Sequence, residues 1–406
     1  MDFSPSGRVV DLRGRLRAFA EEHVLPVEQE ALGALDHEVR PGVPYPALLV
    51  ELRRRARTAG LWNLFLPDER YGAGLANWEY GLLCEEMGRS PVLPYVFNCA
   101  APDTGNAEIL AEHGSEDQRE RWLAPLLDGA IRSCFAMTEP DVAGSDPTQL
   151  EASAELDGDS WVINGRKWFT SGYNGAAVAI AMVVTDPDAA PHRRASMVLV
   201  PLDAPGFHGV RPVSVMGHAA GPGHWEVAFE DCRVPYENLL GERGAGFEIA
   251  QDRLGPGRVH HCMRAIGSAE RGFELMCRRA LERQAFGGAL ADKQFMQDFI
   301  ARSRMEIDAA RLMVLHAAWR IDVHGKRAAR GEISMIKVMA AQVHQEVLDR
   351  ALQVHGGLGM SDDLPLALMW RQGRWLRVAD GPDEVHKMAI ARRELSRFRE
   401  PEPVAG

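Results

Sequence analysis

Residue types able to do ligand chemistry are densest between Phe135 and Gly172, where the chain reads FAMTEPDVAGSD and, past a short insert, WVINGRKWFTSG. Thr138, Glu139, Pro140, Asp141, Gly144, Ser145 and Asp146 crowd backbone and hydroxyl donors into one loop, which suits a phosphate or a heteroaromatic edge. Trp168, in a strand beside Thr170, offers a flat face next to a hydroxyl. The same residues also fit an ordinary β-hairpin with a core tryptophan, so by themselves they leave both readings open.

The elements that position this stretch are legible from spacing. Asp157-Gly158 and Asn164-Gly165 permit positive φ, which predicts turns between short strands over Gln149–Leu156, Trp161–Ile163 and Lys167–Ser171. Upstream, apolar residues at three- and four-residue steps predict helices over Val9–Leu32, Tyr45–Ala59 and Trp78–Met87. Ser115 and Gln118 form an S-x-x-Q capping box, starting a helix that runs to about Leu127 and stops at Asp128-Gly129. From Ser133 to near Asn238 the period moves toward two, in AAVAIAMVVT, SMVLVP and HWEVAFE. GERGAGFE then leads into helices over 246–283, 291–325, 332–355 and 383–397, and PEPVAG reads as a frayed tail. The fold class is therefore α+β and mostly α: a helical block (1–132), a small β domain (133–240) and a helical bundle (241–400).

Composition excludes several functions. The chain has 406 residues, 46% hydrophobic, enough for two or three cores. A formal charge of −11, with scattered basic residues, disfavours a nucleic-acid surface. Cys84, Cys99, Cys134, Cys232, Cys262 and Cys277 lack the paired spacing of metal knuckles or redox motifs and read as reduced thiols of a cytoplasmic protein. No stretch approaches the roughly 20 apolar residues of a membrane span, so neither export nor membrane insertion is expected. No G-x-x-x-x-G-K-[ST] occurs, and GERGAGFE follows a Pro-broken loop instead of a strand, so no triphosphate loop or dinucleotide fingerprint is supported. His218, His224, His260, His261 and His355 lack ligand spacing with carboxylates, and adjacent His260 and His261 point in different directions on a helix; no metal site is expected.

FAMTEPDVAGSD, NGRKWFTSG, RQAFG with a later Gln294, QVHGGLG and ADGPDEVH, in this order, resemble the acyl-CoA dehydrogenases over nearly the whole chain. The resemblance implies an N-terminal helical domain, a central β-barrel, a C-terminal four-helix bundle, bound FAD and a homo-oligomer, tetramer or dimer. Within the family the chain is similar to the subgroup ending in ADGPDEVH. In some animals that subgroup is fused to a phosphotransferase-like domain and linked to long-chain or 4-hydroxyacyl thioesters; this chain is expected to lack the fusion.

Carried over to this sequence, Phe135, Met137, Thr138 and Gly144 belong to the flavin loop, Ser145 meets the cofactor pyrophosphate or the thioester arm, and Trp168 and Thr170 flank the ring. One residue more than the common TEPGAGSD form separates TEP from GSD, so Asp141, Val142 and Ala143 stay outside the predicted site. Arg283, Phe286, Gln294, Gln353, Gly356 and Gly357 resemble the set that reaches the adenine half and pyrophosphate of FAD in a neighbouring subunit; read without the resemblance, Arg283 and Gln294 are exposed helix residues and GGLG a helix-ending turn. Arg258, 25 residues before Arg283, falls where the family places a CoA-contacting arginine, whose forked donors suit phosphate.

Asp380 stands in place of the family's YEGT glutamate, and Gly257 occupies its second carboxylate location, which leaves Asp380 as the predicted base. Gly381 adjoins the substrate, and Pro382 and Glu384 take cofactor-facing positions, Pro382 without the hydroxyl of the usual Thr. Asp383 reads as the cap of the following helix. Ala379 in place of a Tyr, with Cys99, Ala100 and Ala101, predicts a slot for medium to long or branched chains.

The implied reaction is α,β-dehydrogenation of an acyl-CoA: a base takes the α-proton, the β-hydride passes to flavin N5, and an electron-transfer flavoprotein reoxidises the cofactor. The alternatives are a flavin oxidase or monooxygenase of the same fold, resembling nitroalkane oxidase, and an acyl-CoA-binding protein with little turnover.

Overall fold

A computed structural model describes residues 4–217 and 223–398. His218 and the PEPVAG tail lie outside the described residues. By its contacts the chain divides into two compact units, one built from Gly7–Leu75 and Ser90–Gly257, the other from Ala76–Arg89 and the chain from Arg258 onward.

The first unit opens with a helix, Gly7–Phe19, that buries Val9, Leu12, Leu16 and Phe19 at the three- and four-residue steps of one face. The continuous helix expected over Val9–Leu32 is interrupted. The chain widens into a π turn at Ala20–Val24 and tightens into a 3-10 turn at Leu25–Val27, where Pro26 has no N–H to give, before helix resumes over Glu28–Glu38. The predicted capping box forms: Gln118 N donates to Ser115 Oγ (3.2 Å) and Ser115 N to Gln118 Oε1 (3.1 Å). Gly129, at φ 74°, ends the helical run that closes with Ala124–Asp128. One helix of this unit, Asp103–His113, escaped the sequence reading because it is buried nearly all round, polar Asp103, Thr104 and Asn106 included, and so carries no clear apolar stripe.

Eight strands follow: β1 (Ser133–Ala136), β2 (Ser153–Asp157), β3 (Ser160–Ser171), β4 (Val178–Val184), β5 (Ala195–Pro201), β6 (Phe207–Val213), β7 (His224–Pro235) and β8 (Leu239–Leu240). Their order is β6-β7-β3-β1-β4-β5-β8, and β2 pairs with both β3 and β4. Strand β4, VAIAMVV, is buried at every position, as a strand covered on both faces requires. Trp161, Ile163, Val198, Val200, Val227 and Phe229 share the core of this sheet.

Asp157-Gly158 does turn β2 into β3, with Gly158 at φ 67°. Asn164-Gly165 does not turn the chain. Strand β3 runs straight through it, with a register shift against β7 between Ile163 and Gly165. The dipeptide permits positive φ, but both of its flanks pair with the same strand, so it forms a bulge. Asn164 Nδ2 donates to Asp231 Oδ1 (3.1 Å), and Asp231 N donates back to Asn164 Oδ1 (2.8 Å), which pins the bulge. Strand β2 also starts later than expected, at Ser153, because Asp146 accepts from Thr148 N (3.2 Å) and holds Pro147–Gln149 in a 3-10 turn.

The second unit is helical: Asn77–Gly88, the part of Gly246–Glu282 from Arg258 onward, Gln294–His324, Arg330–His355, Leu366–Leu376 and Asp383–Ser396. Two glycines let the first pair of these helices meet backbone to backbone. A Cβ on Gly88 would lie 2.1 Å from Arg264 O, and one on Gly267 1.8 Å from Glu85 O. Arg311 staples the same crossing, reaching Glu85 (2.8 Å) and Glu270 (2.7 Å). Among the described residues no helix is long and apolar enough to cross a membrane.

Candidate active site

In the first unit, Phe135 lies on β1 opposite Ser171 of β3, which brings the FAMTEP and KWFTSG stretches of the sequence side by side. The loop after β1 is tied down at three successive residues. Lys167 Nζ donates to Met137 O (3.0 Å), Trp168 N to Thr138 O (2.9 Å), and Lys167 Nζ to the Glu139 carboxylate (2.7 Å). The same carboxylate accepts from Glu151 N (2.8 Å) and Ala152 N (3.0 Å). Glu139 is thus a strut inside the loop. Burial pushes the Lys167 ammonium down to about 8 while Glu139 pulls the other way.

Trp168 and Phe169 meet edge to face (centroids 4.7 Å apart) at the second register shift of β3, where Phe169 takes φ 49°. Thr170 is fully buried, and its Oγ1 has no hydrogen-bond partner among the described residues. A buried hydroxyl without a partner is costly, which is the signature of a group kept for a ligand. The Arg253 guanidinium stacks over the Phe135 ring (4.0 Å) while its Nε donates to Asn106 Oδ1 (2.9 Å). Gly144 and Ser145 are exposed. Cys99 and Ala100 are buried.

In the second unit Asp380 sits in the turn between Leu366–Leu376 and Asp383–Ser396, at φ 55°, followed by Gly381 at φ 98°. Its carbonyl accepts from Arg258 Nε (3.0 Å) and from His386 Nε2 (3.3 Å). Burial, together with Arg258 and Lys337, pushes His386 down to about 4, so it donates as a neutral imidazole. A Cβ on Gly381 would stand 2.8 Å from His386 Nε2, and the positive φ excludes it again. The Asp380 carboxylate, 25% exposed, lies 3.3 Å from His261 Nε2. Gly257 faces open space within 4 Å of where its Cβ would be.

Asp383 is not the cap of its helix. Pro382 holds the cap position, and Asp383 is the first helical residue, its buried carboxylate turned inward to accept from Arg377 Nε (2.8 Å). A guanidinium competes better for a buried carboxylate than an amide does. Glu384 is exposed. His260 and His261 do diverge: His260 is buried edge-on against Tyr80 (4.8 Å), and His261 faces Asp380. His224 bonds Ser171 Oγ (2.8 Å) and is pushed down to about 4 by burial.

Arg283, Phe286, Gln294, Gln353, Gly356 and Gly357 are all exposed. Leu290, Ala291 and Met296 pack on the core that contains Leu352 and Val354, so these six residues gather at one end of the bundle. Phe286 is 98% exposed, and Gly356 and Gly357 have open space where a Cβ would be. A bare aromatic ring and two open glycines are each able to receive part of a large polar ligand. Taken separately, the orphaned Thr170 hydroxyl of the first unit fits the donor needs of a flavin, and the exposed Phe286 ring of the second unit fits the stacking needs of a dinucleotide.

Sequence reasoning missed Lys167, Arg253, His261 and His386. His261 carried a usable signal, since it lies three residues after Arg258 and so on the same helix face. Lys167 and His386 carried none, because only the tertiary contacts make them polar partners in the interior. The six cysteines are free, five of them buried. Among the described residues one trio of metal-ligating types, Glu112, His113 and Asp252, gathers its ligand atoms within 4.8 Å; His113 and Asp252 pair at 3.3 Å, and Glu112 is exposed.

Residues 9–130, 134–232 and 244–395 match the N-terminal, middle and C-terminal domains of acyl-CoA dehydrogenase. The chain belongs to the acyl-CoA dehydrogenase family, a family of FAD-dependent oxidoreductases acting on acyl-CoA thioesters. It is similar to the probable acyl-CoA dehydrogenase FadE2 of Mycobacterium tuberculosis, at 51% identity with 98% of each chain covered. It is 49% identical to acyl-CoA dehydrogenase family member 10 of Mus musculus, over 98% of this chain but 38% of that protein. Among solved structures, a candidate acyl-CoA dehydrogenase of Mycobacterium abscessus superposes with a TM-score of 0.93 at 49% identity, covering 98% of this chain and all of that one. The fold expected from the sequence, helical domain, β domain and helical domain, is the fold of this family.

Proposed function

We propose that this chain dehydrogenates medium- to long-chain or branched acyl-CoA thioesters to 2-enoyl-CoA, with FAD as cofactor and Asp380 as the base. The observation that carries the reading is the Asp380 turn. Its backbone is held by Arg258 and His386 in a left-handed conformation while its carboxylate stays partly exposed. Strained backbone that the surroundings over-determine is characteristic of catalytic positions.

When bound, the flavin supplies the hydride acceptor. On the protein side, Asp380 takes the α-proton onto a carboxylate oxygen, the electrons of the broken C–H bond become the new C=C, and the β-hydrogen leaves as hydride. Thr170 offers its hydroxyl to the cofactor and Trp168 a flat wall, while Phe135, Met137, Thr138, Gly144 and Ser145 line the loop that receives it. Arg258 spends Nε on the Asp380 carbonyl, and its Nη groups are the donors assigned to the CoA arm. Arg283, Phe286, Gln294, Gln353, Gly356 and Gly357 serve the dinucleotide held with a second subunit, and Pro382, Glu384 and Gly381 border the reacting groups. Reoxidation by an electron-transfer flavoprotein completes the cycle, and the cytoplasm is the assigned compartment.

Anaerobic titration of the purified flavoprotein with a panel of acyl-CoA thioesters tests this. Bleaching of the flavin, faster with dodecanoyl-CoA than with butyryl-CoA, is the expected result. Equal or faster bleaching by butyryl-CoA overturns the chain-length assignment. Rapid oxygen consumption would point instead to an oxidase, and tight thioester binding with an oxidised flavin to a binding protein.

A further inference from the structure

We propose that His261 is a positioning residue for Asp380 and that Arg264 selects the tautomer in which it acts; this rests on the reading of Asp380 as the base. Arg258, His261 and Arg264 follow one another at three-residue steps on the Gly246–Glu282 helix, so the first two project from neighbouring points of one face. Arg264 Nη2 lies 3.1 Å from His261 Nδ1. A guanidinium has no acceptor, so Nδ1 must present its lone pair, and a neutral imidazole then carries its proton on Nε2. That nitrogen stands 3.3 Å from Asp380 Oδ2.

The consequence is steric as well as electrostatic. Aspartate has one methylene fewer than glutamate, so its carboxylate has less freedom to search for the α-carbon, and its orientation depends on what anchors it. An Nε2–H directed at Oδ2 fixes the orientation of the carboxylate that is to meet the α-proton. The carbonyl of the same residue is held independently by Arg258 and His386. Backbone and side chain of Asp380 are therefore held by different residues. Other titratable groups near this turn are Cys262 on the same helix, Lys337, which donates to Leu376 O from the Arg330–His355 helix, and Asp383, which is engaged by Arg377.

The test compares His261→Ala and His261→Gln in the FAD-loaded protein, with Asp380→Asn alongside. Glutamine carries an amide N–H2 near the place of Nε2 and keeps the donor. The Ala variant should retain FAD, keep its Kd for acyl-CoA within a few-fold and reduce its flavin more slowly by roughly 10- to 100-fold, the scale of a lost hydrogen bond to a charged group. The Gln variant should recover most of the rate. In the Ala variant the acid limb of the reduction rate should move to higher pH, because a carboxylate that loses a donor is protonated more easily. A parental rate in His261→Ala, or equal slowing in Ala and Gln, overturns the proposal. If Asp380→Asn itself keeps the parental rate, the base assignment falls; if Asp380→Asn is slow while His261→Ala is unaffected, only the role of His261 falls.

Discussion

Lys167 Nζ lies 2.7 Å from Glu139 Oε1, with the lysine side chain fully buried and the glutamate 4% exposed. The pair spans the loop after β1 and the strand that carries Trp168 and Thr170, and the lysine also holds Met137 O. Two charges removed from water gain little net stability when paired, yet removing one of them leaves the other stranded. The pair therefore acts as a lock on loop geometry.

Lys167→Met should strand the Glu139 carboxylate and lower stability by about 3–5 kcal/mol, the usual penalty for breaking a buried pair. Release of the flavin loop should accompany it. Urea unfolding together with flavin fluorescence checks both; a variant with parental stability and full flavin content would show that the pair is dispensable.

Asp380→Asn should retain FAD and bind acyl-CoA, yet reduce its flavin slower by roughly 10²–10⁴, the share of general-base catalysis. Stopped-flow anaerobic reduction measures this. A rate within a few-fold of the parent would remove Asp380 from the mechanism.

His224 and His386 are held at about 4, and His344 at about 3, in each case first by burial. In the unfolded chain they titrate near 6.5. Between these values the unfolded state binds more protons, so stability rises with pH there. The contribution of the three is complete above about pH 6.5 and is lost as pH falls toward 4 and then 3. Thermal midpoints should therefore drop steeply below pH 6.5, and replacing His344, which bonds Ser268 Oγ (2.8 Å), by Gln should flatten that slope. An unchanged slope in that variant would exclude His344 as a source.

Phe286 and Phe295 are 98% and 79% exposed at the bundle end that also carries Arg283, Gln294 and Gln353. Sedimentation of the flavin-loaded protein should give a dimer or tetramer, and Arg283→Ala should lower FAD occupancy. A fully active, flavin-loaded monomer would refute the shared-cofactor reading.

Local chemistry was readable without coordinates wherever it was self-contained. Ser115 with Gln118 starts a helix and Gly129 ends one, because those hydrogen bonds and that backbone conformation involve only neighbours in the chain. The order of helical and β segments was readable for the same reason, since each period reports the face that its own element buries. The family motifs pointed to α,β-dehydrogenation and left a flavin oxidase or monooxygenase and an acyl-CoA-binding protein as alternatives.

Tertiary structure alone decided the rest. Asn164-Gly165 became a bulge instead of a turn because β7 pairs with both of its flanks. Asp383 gave up the helix cap for Arg377, six residues earlier in the chain but turned toward it by the intervening bend. Glu139, a ligand-type residue by sequence, became a structural anion once Lys167, 28 residues away, was folded against it. His261, dismissed as a metal ligand, acquired a carboxylate 119 residues distant, Asp380. In each case a residue's role depended on which partner the fold brought to it, and spacing along the chain does not encode that distance.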